Sequence, residues 1–188
     1  MEMQRGGASV PPYPVQHGGP VIVAGNAACL FDDLKSARAE FGDVPVIAVN
    51  GAAREVKAFA LYSKHPERFI ANRWAYWQER RFGDDFTLHG GRVALSCTHI
   101  DHWWPDAYGG GGSAWDARKV AAMMGFDLVI LCGCPMVPGP YVGGHGIGGF
   151  MTREDVVNGF RADIEADTWW QKGAISMSGW TKEILCSR

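Results

Sequence analysis

Two histidines stand in sequence contexts that would let them act as general bases. His65 follows a short apolar run and precedes a proline that favours the start of a helix, which places it at the end of a strand. His145 lies in the run PGPYVGGHGIGG, which we interpret as a lid that carries the imidazole to a substrate on closure. An imidazole titrates near neutral pH and can accept a proton from an attacking hydroxyl group. Helix capping is the alternative role for His65.

A run of glycines before a predicted helix has the pattern of an anion-binding site. The run GGGGS ends in Ser113, whose type favours a helix N-cap. The helix that follows is predicted to carry apolar side chains on one face, with Asp116 and Lys119 on the opposite, polar face. Backbone N–H groups at a helix N-terminus favour a phosphate, so we assign Gly111, Gly112 and Ser113 to a nucleotide. A flexible loop before a core helix is the alternative.

Two asparagines follow neighbouring predicted strands. The strands are expected over residues 20–24 and 45–49, and the segment between them has the 3.6-residue periodicity of a helix. Such units form parallel sheets, whose ligands collect at the carboxyl ends of the strands. Asn26 and Asn50 would then lie at one edge and could hydrogen-bond a base, a sugar or a phosphate. Simple closure of two turns is the alternative for both.

The remaining pattern predicts one α/β domain. Further apolar runs predict strands over residues 58–62, 92–96, 128–131 and 174–178. Further helices are predicted over residues 66–81, from a capping box that starts at Thr152, and after Ser178. We therefore expect an α/β fold, a single Rossmann-like three-layer domain with a mainly parallel sheet over residues 19–188. A flexible N-terminal arm over residues 1–18 precedes it.

Composition excludes several classes of protein. The chain has 188 residues, 47% of them hydrophobic, which suits one domain with a core of ordinary size. Its net charge of −2 argues against a nucleic-acid partner. No apolar run is long enough to predict a membrane span, and the polar start lacks the apolar centre of a signal peptide, so we expect a cytoplasmic protein. The five cysteines form no C-x-x-C pair and are expected to be reduced thiols.

Two clusters give weaker indications. His99, Asp101, His102 and Asp106 are metal-ligating types, but their spacing on a loop fixes no geometry, and we expect the rim of a pocket rather than a metal site. Tryptophans occur as close pairs such as Trp169 and Trp170, which suit a core, a pocket wall or an oligomer contact. A homo-oligomer therefore remains open.

The order of the motifs resembles a known group of proteins. VIVAGNAACLFDDL, VIAVNGAA, SKHPERF, GGGGSAWDARKVAAMMGFDLVILCGCPM and SMSGWTKEIL together resemble small phage and prophage proteins of the 6-hydroxymethylpterin diphosphokinase-like superfamily. More distantly, they are similar to bacterial sialyltransferases that use CMP-sialic acid. The resemblance runs from about residue 20 to residue 186. It implies a nucleotide bound at the strand ends by Gly25, Asn26, Asn50, Gly112, Ser113 and Gly133.

The resemblance also implies an activity. It favours a nucleotide-dependent transferase that moves a glycosyl group from a CMP-type nucleotide sugar, with Mg²⁺ as an optional cofactor and the host cytoplasm as location if the protein is phage-encoded. The chain departs from many transferase relatives in reading Gly133-Cys134-Pro135 instead of Gly-x-Asp, and Ala27-Ala28-Cys29 instead of Gly-Pro-Ser. The alternatives are a non-catalytic nucleotide-binding or sequestering phage protein, an ATP-dependent pyrophosphokinase, and a structural component of an assembly.

Overall fold

The computed structural model describes residues 13–66, 86–91, 100–142 and 153–186. Within these ranges the strands are β1 (Pro20–Ala24), β2 (Val46–Val49), β3 (Ala60–Ser63), β4 (Thr87–Gly90), β5 (His102–Trp103), β6 (Leu128–Cys132) and β7 (Ala174–Ser176). The α-helices are α1 (Leu30–Phe41), α2 (Gly112–Met123), α3 (Glu154–Ala166), α4 (Thr168–Gln171) and α5 (Gly179–Cys186). Short 3₁₀ helices cover Asn50–Arg54 and Pro105–Ala107.

All seven strands form one parallel sheet. Their order is β5-β4-β3-β2-β1-β6-β7, so the chain reverses direction across the sheet between β1 and β6. Val23 in β1 is in register with Ile47 of β2 on one side and Leu131 of β6 on the other. Apolar residues fill both faces of these central strands, which is the pattern of a parallel sheet covered on both sides. The predicted α/β, Rossmann-like three-layer fold with a parallel sheet is confirmed.

Helices cover the sheet on both faces. Helix α1 buries Leu30, Leu34 and Ala37 in one cluster, together with the side chains of β1 and β2 that point to that face. Helix α2 buries Ala117 and Val120 in the cluster on the other face. Because α2 lies between β5 and β6 in the chain, its N-terminus lies at the carboxyl edge of the sheet. The same edge carries the turns that follow β1, β2 and β3.

Most predicted elements are present, with two additions. The strands predicted at residues 20–24, 45–49, 58–62, 128–131 and 174–178 correspond to β1, β2, β3, β6 and β7. Strands β4 and β5 are missing from the sequence-based prediction. The predicted strand at residues 92–96 and all but the first residue of the helix at 66–81 lie outside the described residues. Among the described residues, no helix is both long and apolar enough to span a bilayer.

Thr152, where the capping box of α3 was predicted to start, lies outside the described residues. Helix α3 has Arg153 as its N-cap residue, in an extended conformation and without a side-chain cap hydrogen bond. The guanidinium of Arg153 instead forms an ion pair with the carboxylate of Asp155, with Nη2 2.5 Å from Oδ2. Asp155, the acidic residue of the predicted box, therefore pairs with the side chain of the N-cap residue Arg153.

The described part of the N-terminal arm packs on the β4–β5 side of the sheet. The ring of Tyr13 meets that of His102 edge-on, with 4.9 Å between the centroids, and His17 stacks on Phe126 at 4.6 Å. Beneath Tyr13, Trp104 donates its indole N–H to His89 Nδ1 at 2.9 Å. Burial, and then the nearby His102, lower the pKa of His89 to about 3, so this histidine is neutral in the folded protein.

Candidate functional site

Three neighbouring strands end in polar residues at the carboxyl edge. Strand β1 leads into Gly25 and Asn26, β2 into Asn50 and Gly51, and β3 into Lys64 and His65. Adjacent strands of a sheet are about 4.8 Å apart, so these turns adjoin one another in space. The parallel topology thus brings together the asparagines and His65, as predicted from the sequence.

The side chain of Asn26 packs against the turn that contains Asn50. A Cβ atom on Gly51 would lie 2.8 Å from Asn26 Nδ2, so the amide rests directly on the Gly51 backbone. Asn26 Oδ1 is buried and has no hydrogen-bond partner among the described residues. Asn50 has a φ of 50°, in the left-handed region that a non-glycine residue rarely adopts. An orphaned acceptor beside an unusual backbone conformation is typical of a ligand site.

Gly25 and Gly133 have a structural role at the reversal between β1 and β6. A Cβ atom on Gly25 would lie 2.5 Å from the Gly133 carbonyl oxygen, and one on Gly133 would lie 2.5 Å from the Gly25 carbonyl oxygen. The Gly133 N–H donates to Asp33 Oδ2 at 2.8 Å, and Ser178 Oγ donates to the same oxygen at 2.7 Å. The buried Asp33 carboxylate therefore already holds the Gly133 amide that the sequence assigned to a nucleotide.

The glycine run before α2 is arranged differently from the prediction. Helix α2 begins at Gly112, and its N-cap residue is Gly111 in the left-handed conformation, with a φ of 82°. Ser113 is thus inside the first turn, and the prediction that it caps the helix is wrong. The Gly111 N–H donates to Asp163 Oδ2 of α3 at 3.0 Å. A carboxylate of the protein therefore binds one of the amides that the sequence assigned to a phosphate.

Asp116 and Lys119, which the sequence places opposite the apolar face of α2, do not face solvent. Asp116 is fully buried and Lys119 is 7% exposed. Helix α3 and the segment after it cover this side of α2, and Lys119 Nζ forms an ion pair with Asp167 Oδ2 at 2.5 Å. The polar side of α2 therefore faces protein rather than water, and its charges are paired there.

Lys64 joins the end of β3 to the start of α2. Its Nζ lies 3.3 Å from Asp116 Oδ2 and donates a hydrogen bond to the Gly109 carbonyl oxygen. The same ammonium lies 4.7 Å from the centre of the Tyr108 ring, which is 41% exposed at the mouth of the edge. Sequence reasoning missed this pair, because only the fold brings residues 64 and 116 together.

Burial dominates the electrostatics of this pair. It raises the pKa of Asp116 to about 7, although Lys64 and Lys119 act in the opposite direction. The hydroxyl group of Tyr62 is buried nearby and has no hydrogen-bond partner among the described residues. Burial, followed by the charge of Asp116, raises the pKa of Tyr62 above its usual range. Perturbed buried groups next to an open edge indicate a functional site.

The two predicted histidine bases have different outcomes. His65 is half-buried at the end of β3, and its ring meets that of Tyr108 edge-on at a centroid distance of 5.9 Å. It therefore lies next to Lys64, at the edge that carries the asparagines. His145 lies outside the described residues. Its role as a base remains a prediction.

The buried cysteines of the described residues are not candidate nucleophiles for this site. Burial is the main cause that raises the pKa values of Cys29, Cys132 and Cys134. The pKa of Cys132 is raised to about 12. These thiols are therefore protonated near neutral pH. Among the described residues, no group of three or more His, Cys, Asp or Glu side chains is arranged to hold a metal ion. Asp101 accepts the Leu88 N–H at 2.7 Å, and so has a structural role.

Comparison with family models, with curated proteins and with solved structures finds no match to this chain.

Proposed function

We propose that this protein is a nucleotide-dependent transferase that moves a glycosyl group from a CMP-type nucleotide sugar to a hydroxyl acceptor. The observation that carries the proposal is the buried, unpartnered Oδ1 of Asn26 beside Asn50, at the carboxyl ends of parallel strands. Ligands of open parallel sheets bind outside these strand ends. An amino group of a base or a hydroxyl group of a ribose would give Asn26 the donor that it lacks.

In this proposal, Lys64 binds the phosphate of the nucleotide sugar. An ammonium group has three N–H donors, and contacts with the Gly109 carbonyl oxygen and with Asp116 leave one for a phosphate oxygen. The Gly111 amide already donates to Asp163, so Lys64 is the better candidate for this contact. Gly112 and Ser113 remain candidates as neighbours in the first turn of α2.

The transfer step needs a base and a stabilised leaving group. The acceptor oxygen forms a bond to the anomeric carbon while the bond from that carbon to the phosphate oxygen breaks, and the nucleotide leaves with the bonding electrons. The acceptor proton passes to an imidazole, for which His65 and His145 are the candidates. Lys64 would balance the negative charge that grows on the leaving phosphate. Mg²⁺ could share this task but is not required by the proposal.

Replacing Asn26 by alanine should weaken nucleotide binding. We expect the affinity for CMP, measured by calorimetry, to fall at least tenfold, because a hydrogen-bonding group at the base or ribose is lost. Asn158→Ala, which removes an exposed asparagine from α3, is the matched control and should bind CMP like the wild type. Equal affinities in the two variants would exclude Asn26 from the site. Binding of ATP only, and only with Mg²⁺, would favour the pyrophosphokinase.

Replacing Lys64 by glutamine should affect only ligands that carry a phosphate. The wild type is expected to bind CMP more tightly than cytidine, and Lys64→Gln should reduce that ratio about tenfold at low salt while leaving cytidine binding unchanged. Lys57→Gln removes an exposed lysine before β3 and serves as the control. A CMP-to-cytidine ratio that does not change in Lys64→Gln would remove Lys64 from the phosphate site.

A non-catalytic nucleotide-binding protein is the second candidate. Two observations favour it: the turn Gly133-Cys134-Pro135 offers no carboxylate, and Asp163 already binds the Gly111 amide. Hydrolysis of a CMP-sugar donor in the absence of acceptor distinguishes the two functions. Slow release of CMP that depends on His65 supports the transferase, whereas tight CMP binding with no donor cleavage supports the binding protein.

A further inference from the structure

A cavity lies at the amino edge of the sheet, opposite the carboxyl edge that carries Asn26 and Lys64. It has a volume of about 450 Å³ and is lined by Thr168, Trp169, Gln171, Lys172, Gly173, Ala174 and Leu185. These residues come from α4, the turn into β7 and the end of α5. Because residues 168–173 precede β7, the cavity lies at the amino edge of the sheet. It is therefore remote from Asn26 and Lys64.

Hydrogen bonds from two buried side chains hold the wall of this cavity in place. Gln171 is 7% exposed, and its Nε2 donates to the Ile164 carbonyl oxygen at 2.7 Å. Arg118, which is 2% exposed, donates through Nη2 to the carbonyl oxygen of Lys172. The guanidinium of Arg118 also lies 5.5 Å from the ring centre of Trp170. Two buried polar side chains thus hold the backbone that carries the cavity, which favours a preformed site.

One polar atom of a residue in this wall lacks a hydrogen-bond partner. Gln171 Oε1 is buried and accepts no hydrogen bond from the described residues, while the other end of the same amide is anchored. A buried acceptor without a donor is destabilising and is normally satisfied by water or a ligand. A ligand group that reaches this atom must therefore be a hydrogen-bond donor.

The rest of the wall combines a flat apolar surface with a cation. Trp169 is 71% exposed, and Lys172 Nζ lies 5.3 Å from its ring centre. An exposed indole offers a flat apolar surface on which a ligand can pack. The Lys172 ammonium can only donate, so a ligand group that contacts it must be a hydrogen-bond acceptor.

We propose that this cavity binds a saccharide. A pyranose ring presents a face of C–H groups that can lie on the indole, and its hydroxyl groups both donate and accept hydrogen bonds. One hydroxyl would donate to Gln171 Oε1 and another would accept from Lys172. A phosphate without a proton cannot donate to Gln171, and a hydrocarbon satisfies neither polar group. This site goes beyond the proposed transfer reaction, and its test does not depend on nucleotide binding.

Titration of the full-length protein with neutral saccharides tests the proposal. The probes are tetrasaccharides of glucose, galactose and N-acetylglucosamine, followed by calorimetry and by the NMR signals of the indole N–H groups. We expect at least one probe to bind the wild type and to shift the Trp169 signal. Trp169→Ala should weaken that binding at least tenfold, whereas Trp169→Phe should retain part of it.

Phe31→Ala is the matched control, because Phe31 is 52% exposed on α1 and belongs to another surface. It should bind the saccharide like the wild type. Since Trp169 is largely exposed, its replacement should leave the melting temperature nearly unchanged, so lost binding cannot be ascribed to unfolding. The proposal is overturned if no tetrasaccharide binds, or if Trp169→Ala and Phe31→Ala bind equally well.

Discussion

Gly25→Ala is expected to lower the free energy of unfolding by about 3 kcal/mol or more. The added methyl group would lie 2.5 Å from the Gly133 carbonyl oxygen and 2.6 Å from Cys134 Sγ. The first of these is a backbone atom between two central strands, and it cannot move without separating β1 from β6. In a protein of this size the loss corresponds to a fall of about 10 °C in melting temperature, measurable by calorimetry.

Gly159→Ala is the matched control for this substitution. Gly159 lies in α3, and no atom lies within 4 Å of a Cβ atom built there. Alanine is favoured over glycine inside a helix, so this variant should be more stable than the wild type by about 0.5–1 kcal/mol. A small effect of Gly25→Ala, comparable in size to that of Gly159→Ala, would show that β1 and β6 do not approach as closely as described.

Asp116→Asn is expected to change the pH dependence of stability. In the folded protein the pKa of Asp116 is about 7, against 3.8 for an ordinary aspartate. The folded state therefore binds this proton more tightly than the unfolded chain does. The resulting stability is fully present below pH 3.8 and is lost as the pH rises towards 7. Asparagine carries no titrating proton and removes this loss.

The expected size of the effect is on the order of 4 kcal/mol at pH 8, since the pKa is raised from 3.8 to about 7 and one pKa unit corresponds to about 1.4 kcal/mol. Lys64 is not stranded in the variant, because it keeps the Gly109 carbonyl oxygen and the Tyr108 ring. Denaturant unfolding from pH 4 to pH 8 measures the stability difference between Asp116→Asn and the wild type, which should grow with pH in favour of the variant. Asp32→Asn, at an exposed position in the first turn of α1, is the control.

The wild type alone does not isolate the effect of Asp116, because His89 changes the pH dependence of stability in the opposite direction. Its pKa is lowered from 6.5 to about 3, so its contribution to stability is present above pH 6.5 and is lost as the pH falls towards 3. The two trends partly cancel in the wild type between about pH 4 and pH 6.5. The stability difference between Asp116→Asn and the wild type cancels the contribution of His89 and reports that of Asp116. A difference between Asp116→Asn and the wild type that stays constant from pH 4 to pH 8 would contradict the raised pKa of this carboxyl group.

The central part of the fold could be predicted because it depends on local patterns. Strands β1 and β6 are continuous apolar runs that end at glycine, and α1 repeats its apolar residues at helical spacing. Strand β4 has the sequence Thr-Leu-His-Gly, which carries no such pattern. It is placed by pairing with β3 and by the hydrogen bond from Trp104 to His89, and these contacts are not encoded within four residues.

The site was predictable only in part, for the same reason. Asn26 and Asn50 follow recognisable strands, so the parallel topology places them together. The contacts of Asp163 and Asp116 were not predictable, because each joins residues that are far apart in the sequence. Asp163 lies 52 residues from Gly111, whose N–H donates a hydrogen bond to it. A helical wheel assigns charged residues to solvent, and it has no information about a second helix that covers that face.

The taper of the sheet limits how copies of the chain could associate. Its outermost strands are β5, with two residues, and β7, with three. Strands this short offer few unpaired N–H and C=O groups for a neighbouring molecule to extend the sheet. Growth into fibrils by edge-to-edge pairing is therefore disfavoured at both ends of the described sheet. Within the described part of the chain, helical and loop surfaces are therefore better placed than the sheet edges to form a homo-oligomer contact.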